Sequence, residues 1–210
     1  LLPGYVDEET LVILSSYSGT TEEILAVGKK AYEKKAKIIG ISAGGELKEF
    51  LENNNIKHSA FNSEQELVAN TARLIYDNNV IGWFQNRMEI GPRALGARSI
   101  LSNPCNPQMK EILNLKVKHR EKFRPFAPVV CEGDALNFFE CDTPIPFPTD
   151  FMLMVYPVKE EWRQKIPSVV HVDGSGRLQT IKKEQNALYY DLIKEFGKLS
   201  GIPILINTSF

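Results

Sequence analysis

Histidine and cysteine are scarce in this chain, with three of each among 210 residues. Cys105, Cys131 and Cys141 are odd in number and form no Cys-x-x-Cys pair, which argues against a disulfide framework and a zinc cage. Net charge is also scant, at -1, so no global pull toward nucleic acid or an anionic membrane is expected. No apolar run approaches the roughly 20 residues that a membrane helix needs, and nothing at the start resembles a leader. These absences suggest a reduced, cytoplasmic compartment. The first residue is leucine, not methionine, and the last stretch, Ile204 to Asn207, reads as a buried strand that would need further backbone partners. The sequence is therefore expected to be a piece of something longer.

What is present is globular in kind: 43% hydrophobic and 24% charged residues. Thr10 to Ser16 and Ala36 to Ser42 read as β-rich apolar strands around a helix from about Thr21 to Lys35, one βαβ unit. Helices are expected at 46–54, 63–77, 107–117 and 185–199, and strands at 80–85, 126–131, 151–156, 169–172, 177–181 and 202–207. The fold class is α/β throughout. Under the neutral sum the charge is uneven. Trp83 to Arg124 holds nine Lys/Arg against three Glu, a net of +6, whereas the residues before Leu67 sum to -4. The middle of the chain is expected to collect anions.

Ser16-Tyr17-Ser18-Gly19-Thr20-Thr21-Glu22 joins a strand to a helix start, with Thr20 at the N-cap position. Hydroxyls, a glycine and free N–H groups at a helix start can surround a phosphate, although a plain capped helix explains the spacing equally well. Together with Leu2-Pro3-Gly4-Tyr5 and Thr10-Leu11-Val12-Ile13, the segment resembles the SIS sugar-phosphate domain, especially the bifunctional phosphoglucose/phosphomannose isomerases. That resemblance covers residues 1–45 and implies that Ser16, Ser18 and Thr21 hold a sugar phosphate. It is partial, since one βαβ unit cannot cover both faces of its own sheet. The unit is expected to add little stability, unless Leu11, Ile13, Ile39 and Ile41 complete a sheet shared with the rest.

Gly82 to Leu101 (GWFQNRMEIGPRALGARSIL) is long and rich in arginine. Lys118-His119-Arg120-Glu121, Phe123-Arg124-Pro125-Phe126-Ala127-Pro128, Val170-His171-Val172-Asp173-Gly174 and Asn207-Thr208-Ser209-Phe210 come after it in order. These blocks resemble the C-terminal, YrdC-like domain of the O-carbamoyltransferases of nodulation-factor and antibiotic biosynthesis, over residues 46–210. The resemblance implies a twisted mixed α/β sheet, truncated here at its C-terminal side, that makes carbamoyl-adenylate from ATP with Mg²⁺ and carbamoyl phosphate. It implies catalytic roles for Lys118 and Arg120, and nucleotide or phosphate contacts for Arg93, Arg98, Arg124, Arg177, Asn207 and Ser209. The carbamoyl group would then pass to an acceptor hydroxyl in a separate N-terminal domain. Asn86 departs from the pattern, standing where the family has glycine, which puts the local turn in question.

The chemistry of the residues agrees with that implication. Activating carbamate with ATP gathers several anions, and guanidinium and ammonium groups offset their repulsion. Taken singly, each feature has a plainer reading. A Lys/Arg run such as 116–124 is usually a solvated helix end, His119 and His171 read as structural and not as metal ligands, and Trp83, Phe84 and Cys131 read as core. Only the ordered set of blocks favours function, and it does so for the arginines and Lys118. Two rivals remain: a sugar-phosphate isomerase or sensor built on Ser16, Ser18 and Thr21, and an RNA surface on the +6 segment. The second has no RRM, KH or OB signature behind it.

Overall fold

A computed structural model describes residues 11–16, 22–42, 45–56 and 58–210. Seven strands form one mixed sheet: β1 (Leu11–Ser16), β2 (Lys37–Ser42), β3 (Ile81–Gln85), β4 (Arg98–Ser102), β5 (Ala127–Cys131), β8 (Gln179–Ile181) and β9 (Ile204–Ser209). Their order across the sheet is β2-β1-β3-β4-β9-β5-β8. β1 runs parallel to both β2 and β3, and β5 runs parallel to β8, while the β3–β4, β4–β9 and β5–β9 pairs are antiparallel. A short ribbon pairs β6 (Tyr156–Pro157) with β7 (Ser175–Gly176).

Side chains alternate across a strand, so each strand serves two cores. In β9, Leu205 enters one core while Ile204 and Ile206 enter the other. The first core lies under α3 (Glu64–Tyr76) and α7 (Ala187–Ser200). Apolar residues at helical spacing, Leu67, Val68, Ala72 and Ile75 from α3 and Tyr189, Leu192, Ile193 and Phe196 from α7, meet Trp83, Leu101 and Val129 there. Ser63 caps α3, its Oγ accepting from Glu66 N at 3.1 Å, and the Glu66 carboxylate accepts in return from Asn62 N at 3.0 Å. α7 starts on Asn186, whose Oδ1 accepts from Tyr189 N at 3.0 Å, and stops at Gly201 with φ 76°. The second core gathers Met109, Leu113, Phe126, Phe138 and Phe139. It is covered by α4 (Met109–Ile112), a π-helical turn at Leu113–Val117 and α5 (Glu132–Phe138), with α6 (Glu160–Arg163) beside it.

Strand pairing crosses residue 45, the division read from the sequence. Val12 to Ser15 of β1 lie alongside Gly82 to Gln85 of β3. Val27 and Ala31 of α1 (Glu22–Glu33) and Leu51 of α2 (Gly45–Asn53) pack with Phe84, and Phe210 joins them. The proposed sugar-phosphate residues are less visible: Ser16 ends β1, whereas Ser18, Thr20 and Thr21 lie outside the described residues.

Two local expectations need correction. The strand expected at 151–156 is instead the end of a 3₁₀ turn (Phe147–Phe151), followed by Met152 at φ 58°, and only Tyr156–Pro157 pairs. Pro146 and Pro148 favour that turn and cannot donate to a ladder. The strand expected at 169–172 is the exit of another 3₁₀ turn, Pro167–Val169. The sequence reading also passed over β4 and α5. Trp83, Phe84 and Cys131 are core residues as expected, with burial pushing the Cys131 thiol up to about 12. Among the described residues no helix is long and apolar enough to cross a membrane.

Candidate functional site

At one end of the sheet β3 and β9 finish while β4, β5 and β8 begin. The segments entering and leaving there carry the basic residues: Arg93 on the β3–β4 loop, Lys118, Arg120 and Arg124 ahead of β5, and Arg177 ahead of β8. Topology thus brings together residues spread over more than eighty positions of sequence.

The Lys118–Arg124 segment is shaped from below. The π-helical turn at Leu113–Val117 delivers Lys118, and His119 turns the chain with a left-handed backbone, φ 46°. Asn114 is fully buried, and its Nδ2 donates to the carbonyls of Lys122 (3.1 Å) and Arg124 (2.9 Å). Its Oδ1 accepts from Arg120 Nε at 2.7 Å, and the Arg120 guanidinium lies 4.9 Å from the centre of the Phe126 ring. The Lys118 ammonium donates to the carbonyl of Ser209 at the end of β9.

The electrostatics show how close these cations are. Burial, and then Arg120, bring the Lys118 ammonium down to about 8. Arg120 is lowered by burial and by Arg124, and Arg177 by burial, Arg93 and Arg120. Glu121 pairs with Arg124 at 2.9 Å, both being about half exposed, a contact of little energetic weight. Among the described residues no carboxylate lies within ion-pair distance of Arg93, Lys118, Arg120 or Arg177.

Arg98 also braces the β3–β4 loop from within. Its Nε donates to the Glu89 carbonyl at 3.1 Å, and its guanidinium also reaches the carbonyl of Gly91. Glu89 Oε1 accepts from Leu95 N (2.8 Å) and Ala97 N (2.7 Å), so the two residues clamp the β3–β4 loop that presents Arg93. At the start of this loop Asn86 holds φ 49°; the left-handed turn that glycine favours is thus kept by asparagine. Gly96, at φ 113°, lies where a Cβ would come within 2.3 Å of the Tyr189 ring.

Behind the cations runs a line of buried amides that the sequence reading missed, apart from Asn207. Asn207 Nδ2 donates to the Ala94 carbonyl (2.9 Å) and to Gln179 Oε1 (2.6 Å), and Gln179 Nε2 donates to the Leu95 carbonyl at 3.1 Å. Gln85 Nε2 donates to the Gly96 carbonyl (2.7 Å) and to Asn186 Oδ1 (3.1 Å). Among the described residues the buried oxygens Asn207 Oδ1 and Gln85 Oε1 have no partner. The signal for Gln85 was a polar side chain in an otherwise apolar strand, whereas Gln179, beside Thr180, gave none. His171 Nδ1 lies 3.1 Å from Ser175 Oγ, which donates to Asp173 at 2.6 Å; burial, Arg177 and Lys110 lower its proton affinity against the pull of Asp173. Beyond the β3–β4 loop a cleft of about 900 Å³ opens between that loop and the starts of α3 and α7.

Among known protein families, the one described as "Carbamoyltransferase C-terminus" matches residues 72–210. This chain belongs to that family. Among curated relatives it is 49% identical over 146 residues to nodulation protein NolNO of Sinorhizobium fredii, covering 69% of this chain and 21% of that protein. It is 46% identical over 138 residues to nodulation protein U of Rhizobium tropici (66% and 23%), and 42% identical over 154 residues to nodulation protein NolO of Bradyrhizobium diazoefficiens (73% and 28%). The chain therefore spans less than a third of the length of these relatives.

Proposed function

We propose that the cationic end of the sheet binds ATP and carbamoyl phosphate and forms carbamoyl-adenylate. The reading is carried by one observation: Arg93, Lys118, Arg120 and Arg177 converge, and among the described residues none has a carboxylate within ion-pair distance. Converged, uncompensated cations are costly unless polyanions meet them.

Water first converts carbamoyl phosphate to carbamate and inorganic phosphate. A carbamate oxygen then attacks the α-phosphorus of ATP, the bond to the β,γ-phosphates breaks, and pyrophosphate leaves. Lys118 and Arg120 offset the charge that gathers on the phosphoryl oxygens, and Arg93, Arg124 and Arg177 hold the outer phosphates. Asn207 Oδ1, buried and unpartnered, suits the amide protons of the carbamoyl group. Among the described residues no three His, Cys, Asp or Glu are grouped to hold a metal ion, so Mg²⁺ would arrive on the nucleotide's own oxygens. Transfer of the carbamoyl group to a hydroxyl would fall to an acceptor-binding domain outside this stretch. No comparison favours the sugar-phosphate alternative for residues 1–45.

The test is pyrophosphate release from ATP, with and without carbamoyl phosphate. Release should depend on carbamoyl phosphate and fall in Lys118→Ala, which loses charge-assisted bonds of about 1.5–3 kcal/mol each. Undiminished release in that variant would reduce Lys118-x-Arg120 to a surface run of charge.

A further inference from the structure

Among the converged cations Lys118 alone can act as a nucleophile. Its neighbours are guanidiniums, which keep their protons at any ordinary pH, whereas a lysine that loses its proton bares a lone pair. Burial, and then the Arg120 guanidinium, favour that loss by bringing the Lys118 ammonium down to about 8. Lysines elsewhere go the opposite way. Lys182, Lys183 and Lys194 each hydrogen-bond a carboxylate, which raises the ammonium. The geometry leaves the Lys118 lone pair usable. The side chain is partly exposed, and its end is fixed by a bond to the Ser209 carbonyl. A neutral amine still donates one N–H there while its lone pair faces elsewhere. Two residues earlier on the same strand, Asn207 Oδ1 is buried without a partner and can accept from an amide NH₂. Arg120, and Arg93 and Arg177 close to it, draw in anions and suit a phosphate leaving group.

Resting on the reading that this end of the sheet takes carbamoyl phosphate, we propose that Lys118 is itself carbamoylated by that substrate, a covalent modification that switches the site off. The amine lone pair forms a new N–C bond at the carbamoyl carbon, and the C–O bond to phosphate breaks. Phosphate leaves with the proton that the amine gives up. The product is a ureido group, which keeps an N–H for the Ser209 carbonyl but carries no charge. Water and Lys118 thus compete for one carbonyl carbon. A polyphosphate resting on the cations holds Lys118 charged and protects it, so the loss follows from carbamoyl phosphate bound without nucleotide.

Peptide mass mapping after incubation of the chain with carbamoyl phosphate tests this. At about pH 7.5 roughly a quarter of Lys118 is neutral, against about a thousandth of an ordinary lysine, and the weaker nucleophilicity of a less basic amine takes back part of that gain. Lys118 should therefore be labelled roughly tenfold faster than the other lysines, with only the similarly basic α-amine of the chain as a rival. Tripolyphosphate should suppress the label at Lys118 and leave the other positions alone. The labelled chain should bind tripolyphosphate roughly tenfold more weakly than before, whereas Lys118→Arg, treated alike, should keep the affinity it starts with. Cyanate, supplied at the level that carbamoyl phosphate sheds in the buffer, should label Lys118 several-fold more slowly. Equal labelling by cyanate, or a label spread evenly over the lysines, would overturn the proposal. Carbamoyl phosphate that binds in calorimetry but leaves Lys118 unlabelled would sink this inference alone. If it did not bind at all, the carbamoyl-phosphate reading would fail and take the inference with it.

Discussion

Asn114 sets the position of Arg120: one buried amide accepts from Arg120 Nε at 2.7 Å while holding the carbonyls of Lys122 and Arg124 from its other end. A side chain with no charge thus fixes the approach of a segment crowded with positive charge.

Replacing Asn114 by alanine removes these bonds and empties a buried side-chain position. The expected cost is about 0.5–1.5 kcal/mol for each hydrogen bond lost, and a melting temperature several degrees lower. Anion binding should weaken with it. A variant that melts and binds as the parent does would show that the segment is held from elsewhere.

Lys118 makes the site sensitive to pH. In the fold its ammonium is lowered to about 8 from 10.5, so between those values the unfolded chain binds more protons than the folded one. Stability of the unliganded protein should therefore rise with pH across that window, and this contribution should be flat well below 8. A bound phosphate favours the charged ammonium, so affinity should fall as pH rises through about 8. Titrations from pH 6.5 to 9.5 on the parent and Lys118→Met check both signs; an identical affinity profile in the variant would assign the titration to another group.

Glu89→Ala should release the β3–β4 loop by stranding the N–H groups of Leu95 and Ala97 and removing the carboxylate beside Arg98. Hydrogen exchange should quicken across residues 90–97 and leave α7 nearly unchanged. Uniform protection in the variant would mean that Arg98 holds the loop alone.

Deleting residues 1–45 should lower stability, because β1 hydrogen-bonds along β3 and α1 covers Phe84. The shortened chain should melt earlier and aggregate through the bared edge of β3. An unchanged melting curve would make the two stretches independent pieces.

Much of the cationic end was legible because its residues come in ordered blocks, and topology only had to gather them. The clamp of Arg98 on Glu89, nine positions away, was not, since neither charge counting nor motif order reveals that contact. Asn114 and Gln179 were equally hidden: a buried amide looks like any surface polar residue until its partners are in place. β4 escaped notice because the Gly- and Pro-rich stretch before it masks a strand of five residues. At 147–156 the prolines predicted the backbone better than the apolar residues did, because a turn built on Pro146 and Pro148 leaves no room for a ladder.

The place of β9 in the sheet also governs the order of assembly. It lies between β4 and β5, joining β2-β1-β3-β4 to β5-β8, yet it is the latest in the chain of the strands described. The two halves can each begin to form as the chain emerges, but they cannot share a ladder until β9 slots between them. Long-range closure of that kind is slow and leaves strand edges open meanwhile. Lys118 finds its carbonyl, and Asn207 its amide partner, only at that step. The site is thus incomplete until β9 has paired on both sides.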